Sequence, residues 1–379
     1  MPRELSLRDA LLEISHRAAR RGVRIAAAAL LAVACSEETR RLDGADAGGD
    51  IDAADVGGRP DAGPPGAGDD AGGGAGNDAG GGAGNDAGGG AGNDAGGGAD
   101  AGPTDAASPV GSAGCGTAAP AGGSRSLSFD GRSRSYILRI PPRYDPSDPV
   151  PLVLAFHGFT SNPQAQEWLS RLTPLAEREG FVVAYPQGVV NSWNGGACCG
   201  VASTTDVDDV GFAAALVEHL SSELCIDARR VYAMGFSNGG FLSHRLACER
   251  PEVFAAVGSV AGLLTVSPCA TPVPVLQIHG TDDNVVPYNG NALLGFPSVR
   301  ETIEAWRDTN RCGPLQTLFT RDDVRCDGCS GDADVALCTV DAGGHTWPGG
   351  RPLPGVGRTS HTISASEEIW QFFVEHPQP

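Results

Sequence analysis

The sequence predicts an α/β fold, a mostly parallel β-sheet flanked on both faces by helices, and three observations carry that reading. Short apolar runs alternate with helix-period segments from Arg134 onward. One of the runs enters a Gly-rich turn that opens directly into a helix, between Arg230 and Glu249. Residues 42–114 are too polar and too rich in glycine to join a core, which leaves a single folded domain, from Cys115 on, of the size such a sheet needs.

Each element rests on its own pattern. Residues 135–140 and 151–156 read as strands, and the second (Pro-Leu-Val-Leu-Ala-Phe) is apolar almost throughout, as a strand covered on both faces must be. Residues 164–179 carry a helical pattern, and residues 181–185 (Phe-Val-Val-Ala-Tyr) form the next strand. A helix follows over about 208–224. Residues 230–235 form the strand that enters the Gly-rich turn, and 239–249 continue as a helix. Strands at 254–260 and 274–278, a helix at 299–311, a strand at 335–340 and a helix at 364–375 complete the order. Sites of such sheets lie at the carboxyl ends of the strands.

Composition divides the 379-residue chain into three parts. Residues 1–35 have the layout of a secretory signal: six arginines up to Arg24, then the apolar run Ile25 to Val33, too short to span a bilayer. Ala32-Val-Ala-Cys35 is similar to a bacterial lipobox, so Cys35 is the expected lipidation site and a membrane tether. Residues 36–114 read as a disordered low-complexity linker. Of the 55 glycines, 26 fall between Leu42 and Gly114, with thirteen Asp, one Arg and three copies of Gly-Gly-Gly-Ala-Gly-Asn-Asp-Ala. Residues 115–379 are expected to form the folded domain. The expected location is secreted or extracellular, with anchoring at the bacterial outer membrane through Cys35.

Charge and residue usage exclude several classes. A net charge of −19 argues against a nucleic-acid partner. All 27 basic residues are Arg, which excludes Schiff-base enzymes, Ser-Lys dyads and P-loops. Beyond Cys35 there remain ten cysteines, the even number expected of disulfides in an oxidising compartment. Cys326-Asp-Gly-Cys329 reads as a structural disulfide loop. Cys198 and Cys199 are expected to pair elsewhere, because a bond between neighbours strains the ring they form. No metal or organic cofactor is implied, and the chain is expected to be a monomer.

The chemistry-bearing residues fall at the predicted strand ends. Gly235-Phe-Ser-Asn-Gly239 is a Gly-x-Ser-x-Gly elbow in its required setting of strand, tight turn and helix, which makes Ser237 the candidate nucleophile. A serine hydroxyl needs a base, and the base needs an orienting acid, in the chain order Ser, acid, His. Asp282 or Asp283 supplies the acid after the strand at 274–278. Of eight histidines, His345, His361 and His376 follow it. His345, in a loop directly after the strand at 335–340, is preferred over His361. The oxyanion hole is expected from the backbone N–H groups of Asn238 and Phe159, with His157 a structural hydrogen-bonding residue. Trp193, Tyr288 and Trp347 are candidates for an acyl or aryl pocket.

Together these segments resemble the polyhydroxybutyrate depolymerase and feruloyl esterase family of α/β-hydrolases over about residues 127–373. The matching stretches are Phe156-His-Gly158, Tyr185-Pro-Gln-Gly188, Trp193 with Cys199-Gly200, Val207-Asp-Asp-Val-Gly-Phe212, Gly235-Phe-Ser-Asn-Gly-Gly240, His279-Gly-Thr-Asp-Asp283 through Tyr288, and Gly344-His-Thr-Trp-Pro348. The resemblance implies Ser237 as nucleophile, Asp283 as acid, His345 as base, and hydrolysis of carboxylic esters through an acyl-enzyme. Feruloyl or acetyl esters of xylan, or related aryl esters, are the first expectation for the substrate. Poly(3-hydroxybutyrate) or its oligomers are the alternative. A serine peptidase and a non-catalytic surface-displayed binding module on the same fold are the readings from other classes.

Overall fold

A computed structural model describes residues 110–379 of the chain. The expected signal, Cys35 and nearly all of the expected linker lie outside the described residues. Among the described residues the strands are β1 (Gly123–Phe129), β2 (Arg132–Arg139), β3 (Val150–Phe156), β4 (Val182–Pro186), β5 (Ile226–Phe236), β6 (Ala256–Val260), β7 (Val275–Gly280), β8 (Gln316–Arg321), β9 (Val324–Cys329) and β10 (Val335–Val340). The helices are α1 (Pro163–Ser170), α2 (Leu172–Glu179), α3 (Gly200–Thr204), α4 (Asp209–Glu223), α5 (Asn238–Glu249), α6 (Val299–Thr309) and α7 (Ala365–Glu375).

The strands form one sheet in the order β1-β2-β4-β3-β5-β6-β7-β10-β9-β8. The six from β4 to β10 are parallel, and the antiparallel pairs lie at the two ends. Side-chain alternation along β3 shows how the core is divided. Leu152, Leu154 and Phe156 pack with α4, α5 and α6 on one face, and Val153 and Ala155 pack with α1, α2 and α7 on the other. Phe181 stacks on Trp370 of α7 at 3.9 Å, and Tyr232 stacks on Phe373 at 4.5 Å.

The structure departs from the sequence pattern in particular places. The single helix expected over 164–179 is two, because Arg171 adopts a left-handed conformation (φ 54°, ψ 31°) and ends α1 as it starts α2. β1 and the β8–β9 hairpin had no expected counterpart. β1 alternates half-buried and exposed positions, but only two of its half-buried residues, Leu127 and Phe129, are large and apolar, and β8 is almost wholly exposed. Residues 110–114, on the linker side of the compositional boundary, are hydrogen-bonded to the fold: Ser112 N–H donates to Ile226 O and Gly114 N–H to Ser221 O, both at 2.9 Å.

All ten cysteines of the domain are paired. Cys326 bonds Cys338 and Cys329 bonds Cys312, so the expected Cys326–Cys329 loop does not form. The physical reason is that positions three apart on a strand face opposite ways. Cys198 and Cys199 are bonded to each other rather than to distant partners, the other eight having paired among themselves. Cys115–Cys225 ties the domain's first residues to the start of β5 across 110 residues. Closing so long a loop restricts the unfolded chain, and the Cys115→Ser, Cys225→Ser double variant is expected to lose about 2–5 kcal/mol in urea denaturation. An unchanged midpoint would contradict that role.

Candidate active site

The turn between β5 and α5 holds Ser237 at φ 53° and ψ −119°. A non-glycine residue there is strained by roughly 1–3 kcal/mol, and such strain persists only where the surroundings enforce it. The Ser237 N–H donates to Val260 O on β6 at 2.8 Å, and the Phe241 N–H returns to Ser237 O at 3.0 Å. The flanking glycines are demanded by contact: a Cβ on Gly235 would overlap the Gly239 backbone, and one on Gly239 would overlap the Phe156 carbonyl. Ser237 is 8% exposed, at the helix N-terminus where developing negative charge is favoured.

Asp283 and His345, from the loops after β7 and β10, are brought together. Nδ1 of His345 donates to Asp283 Oδ2 at 2.7 Å, and Asp283 Oδ1 accepts the Val285 and Val286 N–H groups at 2.9 and 2.8 Å. Burial alone would raise the Asp283 carboxyl, but the His345 imidazole and the hydrogen bond from His279 hold it far below the usual carboxylate range. The His345 ring lies 4.8 Å from that of Phe236, the residue before Ser237, which puts the imidazole beside the elbow. His361 is exposed, and His376 bonds Phe372 O and Asp334 at the C-terminal end.

A chain of buried donors stands behind Asp283, and sequence reasoning missed it. The Trp306 indole N–H donates to His244 Nδ1 at 3.0 Å, and His244 Nε2 donates to Gln277 Oε1 at 2.9 Å. The Gln277 amide then donates to His279 Nδ1 at 3.0 Å, and His279 Nε2 lies 2.8 Å from Val286 O and 3.4 Å from Asp283 Oδ2. Because an indole can only donate, each step fixes the next, and both histidines carry their proton on Nε2. Burial pushes His244 down to about 4, in keeping with a neutral ring. The only sequence signal was two histidines and a glutamine on adjoining apolar elements.

Of the expected oxyanion donors, Phe159 lies in the turn after β3 and Asn238 opens α5. A Cβ on Gly158 would meet Ser237 Cβ at 3.5 Å, so the turn after β3 rests against the elbow. Neither the Phe159 nor the Asn238 N–H has a backbone acceptor among the described residues. His157 is fully buried and neutral, pushed down to about 4 by desolvation. Its Nδ1 donates to Gly158 O at 2.7 Å and its Nε2 accepts from Gly188 N–H at 3.0 Å.

The aromatic pocket candidates are placed differently from expectation. Trp193 and Trp347 are fully buried, with their indole N–H groups satisfied by His157 O at 3.0 Å and Ser366 Oγ at 3.2 Å. Both are core residues, because a large apolar ring with an internal acceptor is most stable out of water. Tyr288 is half-buried and shares a hydrogen bond with Thr339. Phe159, in the turn beside the elbow, does reach solvent, 41% exposed and packed over Gly200.

Comparison with known proteins fits this geometry. The family model described as "Esterase PHB depolymerase" matches residues 134–286, which include Ser237 and Asp283 but end before His345. Feruloyl esterase C of Emericella nidulans is 32% identical over 257 residues, covering 64% of this chain and 84% of that protein. The chain belongs to this family of esterases. Feruloyl esterase B of Piromyces equi is 30% identical over 232 residues, 56% of this chain, but the match covers only 42% of that longer protein. The bifunctional acetylxylan esterase/xylanase XynS20E of Neocallimastix patriciarum is 30% identical over 203 residues, 50% of this chain and 28% of the relative. The esterase thus aligns with under half the length of two of these relatives, and with most of the third. Its sheet order and its helices on both faces are those of an α/β-hydrolase.

Proposed function

We propose that this esterase is a serine carboxylesterase that works through an acyl-enzyme on Ser237. The observation that carries the reading is the strained elbow serine, set beside an imidazole that a buried carboxylate orients at 2.7 Å. His345 Nε2 takes the Ser237 proton as Oγ attacks the ester carbonyl. The resulting oxyanion is received by the Phe159 and Asn238 N–H groups. Collapse expels the alcohol, which takes the proton from His345, and water activated by the same imidazole releases the acid. Asp283 holds the tautomer that makes His345 a base toward Ser237 and stabilises the imidazolium.

For the substrate we favour feruloyl or acetyl esters of plant polysaccharide, or related aryl esters, in line with the names of the three relatives. The half-exposed ring of Phe159 would give an aromatic acyl group a face to pack on beside its own oxyanion donor. The description of the matching family model supports a second reading, hydrolysis of poly(3-hydroxybutyrate) oligomers. Methyl ferulate and hydroxybutyrate oligomers assayed side by side separate the two. Turnover of the ferulate ester at least tenfold above the oligomers is expected, and activity on the oligomers alone would reject the first choice. Export is supported by the five disulfides, which persist in oxidising compartments, and the small residues before Cys35 support anchoring through that cysteine.

A further inference from the structure

The turn after β3 and the start of α5, which are assigned the oxyanion donors, are joined through one residue. The Trp193 indole N–H donates to His157 O at 3.0 Å, one residue before Gly158-Phe159. Its backbone grips the elbow: the Trp193 N–H donates to Asn238 Oδ1 at 2.7 Å, and Asn238 Nδ2 donates to Trp193 O at 2.9 Å. One residue thus bonds both the loop that carries the Phe159 N–H and the residue that carries the Asn238 N–H.

Trp193 is itself fixed from behind. Asn194 N–H donates to Asp209 Oδ2 at 2.8 Å, and Asp209 Oδ1 accepts from Arg134 Nη2 at 2.7 Å. Both charged residues are buried, at 4% exposure for the Arg134 side chain and 0% for Asp209. The guanidinium lies 3.9 Å from the centre of the Phe212 ring and 5.8 Å from that of Trp193. A buried ion pair is weak support for stability, because desolvation offsets much of its attraction, but it imposes one geometry on whatever it bonds. Here it bonds the residue after Trp193.

We propose that Trp193 is a positioning residue that sets the spacing of the two oxyanion donors, with the Arg134–Asp209 pair holding it in place. The proposal rests on the serine-esterase reading above and adds to it a residue that touches neither substrate nor the triad. Donor placement matters because hydrogen bonds to a developing oxyanion weaken steeply as they lengthen or tilt.

The test uses Trp193→Phe, which removes the indole N–H and keeps an aromatic ring, and Asn238→Ala, which cuts the clamp from the elbow side and keeps the backbone donor. Each is assayed on a p-nitrophenyl ester and on the matching thionoester, with Ser237→Ala as control. Sulfur is a poor hydrogen-bond acceptor, so thionoester hydrolysis gains little from well-placed donors. Both variants are expected to lose about 10- to 100-fold in kcat on the oxoester with KM changed less than about threefold. The oxoester-to-thionoester ratio should fall about tenfold. Equal losses on both esters, or a raised KM with kcat kept, would overturn the positioning role. Asn238→Ala leaves the core tryptophan in place, so its result decides the matter however poorly Trp193→Phe folds. Turnover surviving in Ser237→Ala would instead overturn the serine-esterase reading. An inert Ser237→Ala beside an unchanged ester ratio in both other variants would overturn the positioning proposal alone.

Discussion

Replacing Ser237 with alanine is expected to lower kcat/KM on p-nitrophenyl acetate by about 10⁴- to 10⁶-fold, since members of a nucleophile–base–acid set act as one unit. His345→Ala should fall in the same range for the same reason. His361→Ala, at an exposed position away from the Asp283 hydrogen bond, should change activity little. The loss in Ser237→Ala should come without loss of fold, because alanine at φ 53° is no more strained than serine. Hydrolysis rates and thermal midpoints of the three variants check both halves of the expectation. Retained turnover in Ser237→Ala or His345→Ala would remove that residue from the mechanism.

Asp283→Asn is expected to cost about 10³- to 10⁴-fold in kcat, through the tautomer of its partner. The carboxylate accepts from two backbone N–H groups on one oxygen and from the His345 Nδ1 proton on the other. An amide that keeps the backbone bonds must turn its NH₂ toward Nδ1. The imidazole then carries its proton on Nε2, where it can no longer take one from Ser237. The same substitution predicts a pH signature in stability. The Asp283 pKa is depressed in the folded protein, so its contribution is present above the ordinary carboxylate value of about 4 and is lost as pH falls below it. Urea denaturation should therefore show wild type more stable than Asp283→Asn at pH 7, with the gap closing toward pH 3. A gap that stays constant or widens on acidification would contradict the assigned electrostatics.

The elements around the candidate site were legible because their chemistry is local. Gly235, Ser237 and Gly239 are dictated by a single turn, and the order of Ser237, Asp283 and His345 along the chain follows from the parallel strands that carry them. Continuous apolar runs such as residues 151–156 gave the central strands for the same reason. What the sequence hid depends on contacts between distant segments. Arg171 takes a left-handed conformation with no glycine or asparagine to announce it. Trp193 has the composition of a pocket residue, and only its bonds to His157 and Asn238 show it to be a buried brace. Asp209 sits beside the helix-capping Asp208 and reads as part of the same cap. Its partner Arg134 is 75 positions away, on β2, with no charge pattern to link them. The β8–β9 hairpin was missed because strand patterning reports burial, and β8 has almost none.

The central claim, that Ser237 becomes covalently acylated, is tested most directly by trapping. The protein is incubated with a p-nitrophenyl alkylphosphonate, whose phosphonyl group is transferred to an activated serine and is not readily hydrolysed off, and its mass is then measured intact and after proteolysis. The predicted result is one phosphonyl adduct per chain, on the peptide containing Ser237, absent from Ser237→Ala and slowed at least 100-fold in His345→Ala. An adduct on another residue, or no adduct in a preparation that hydrolyses p-nitrophenyl acetate, would contradict it.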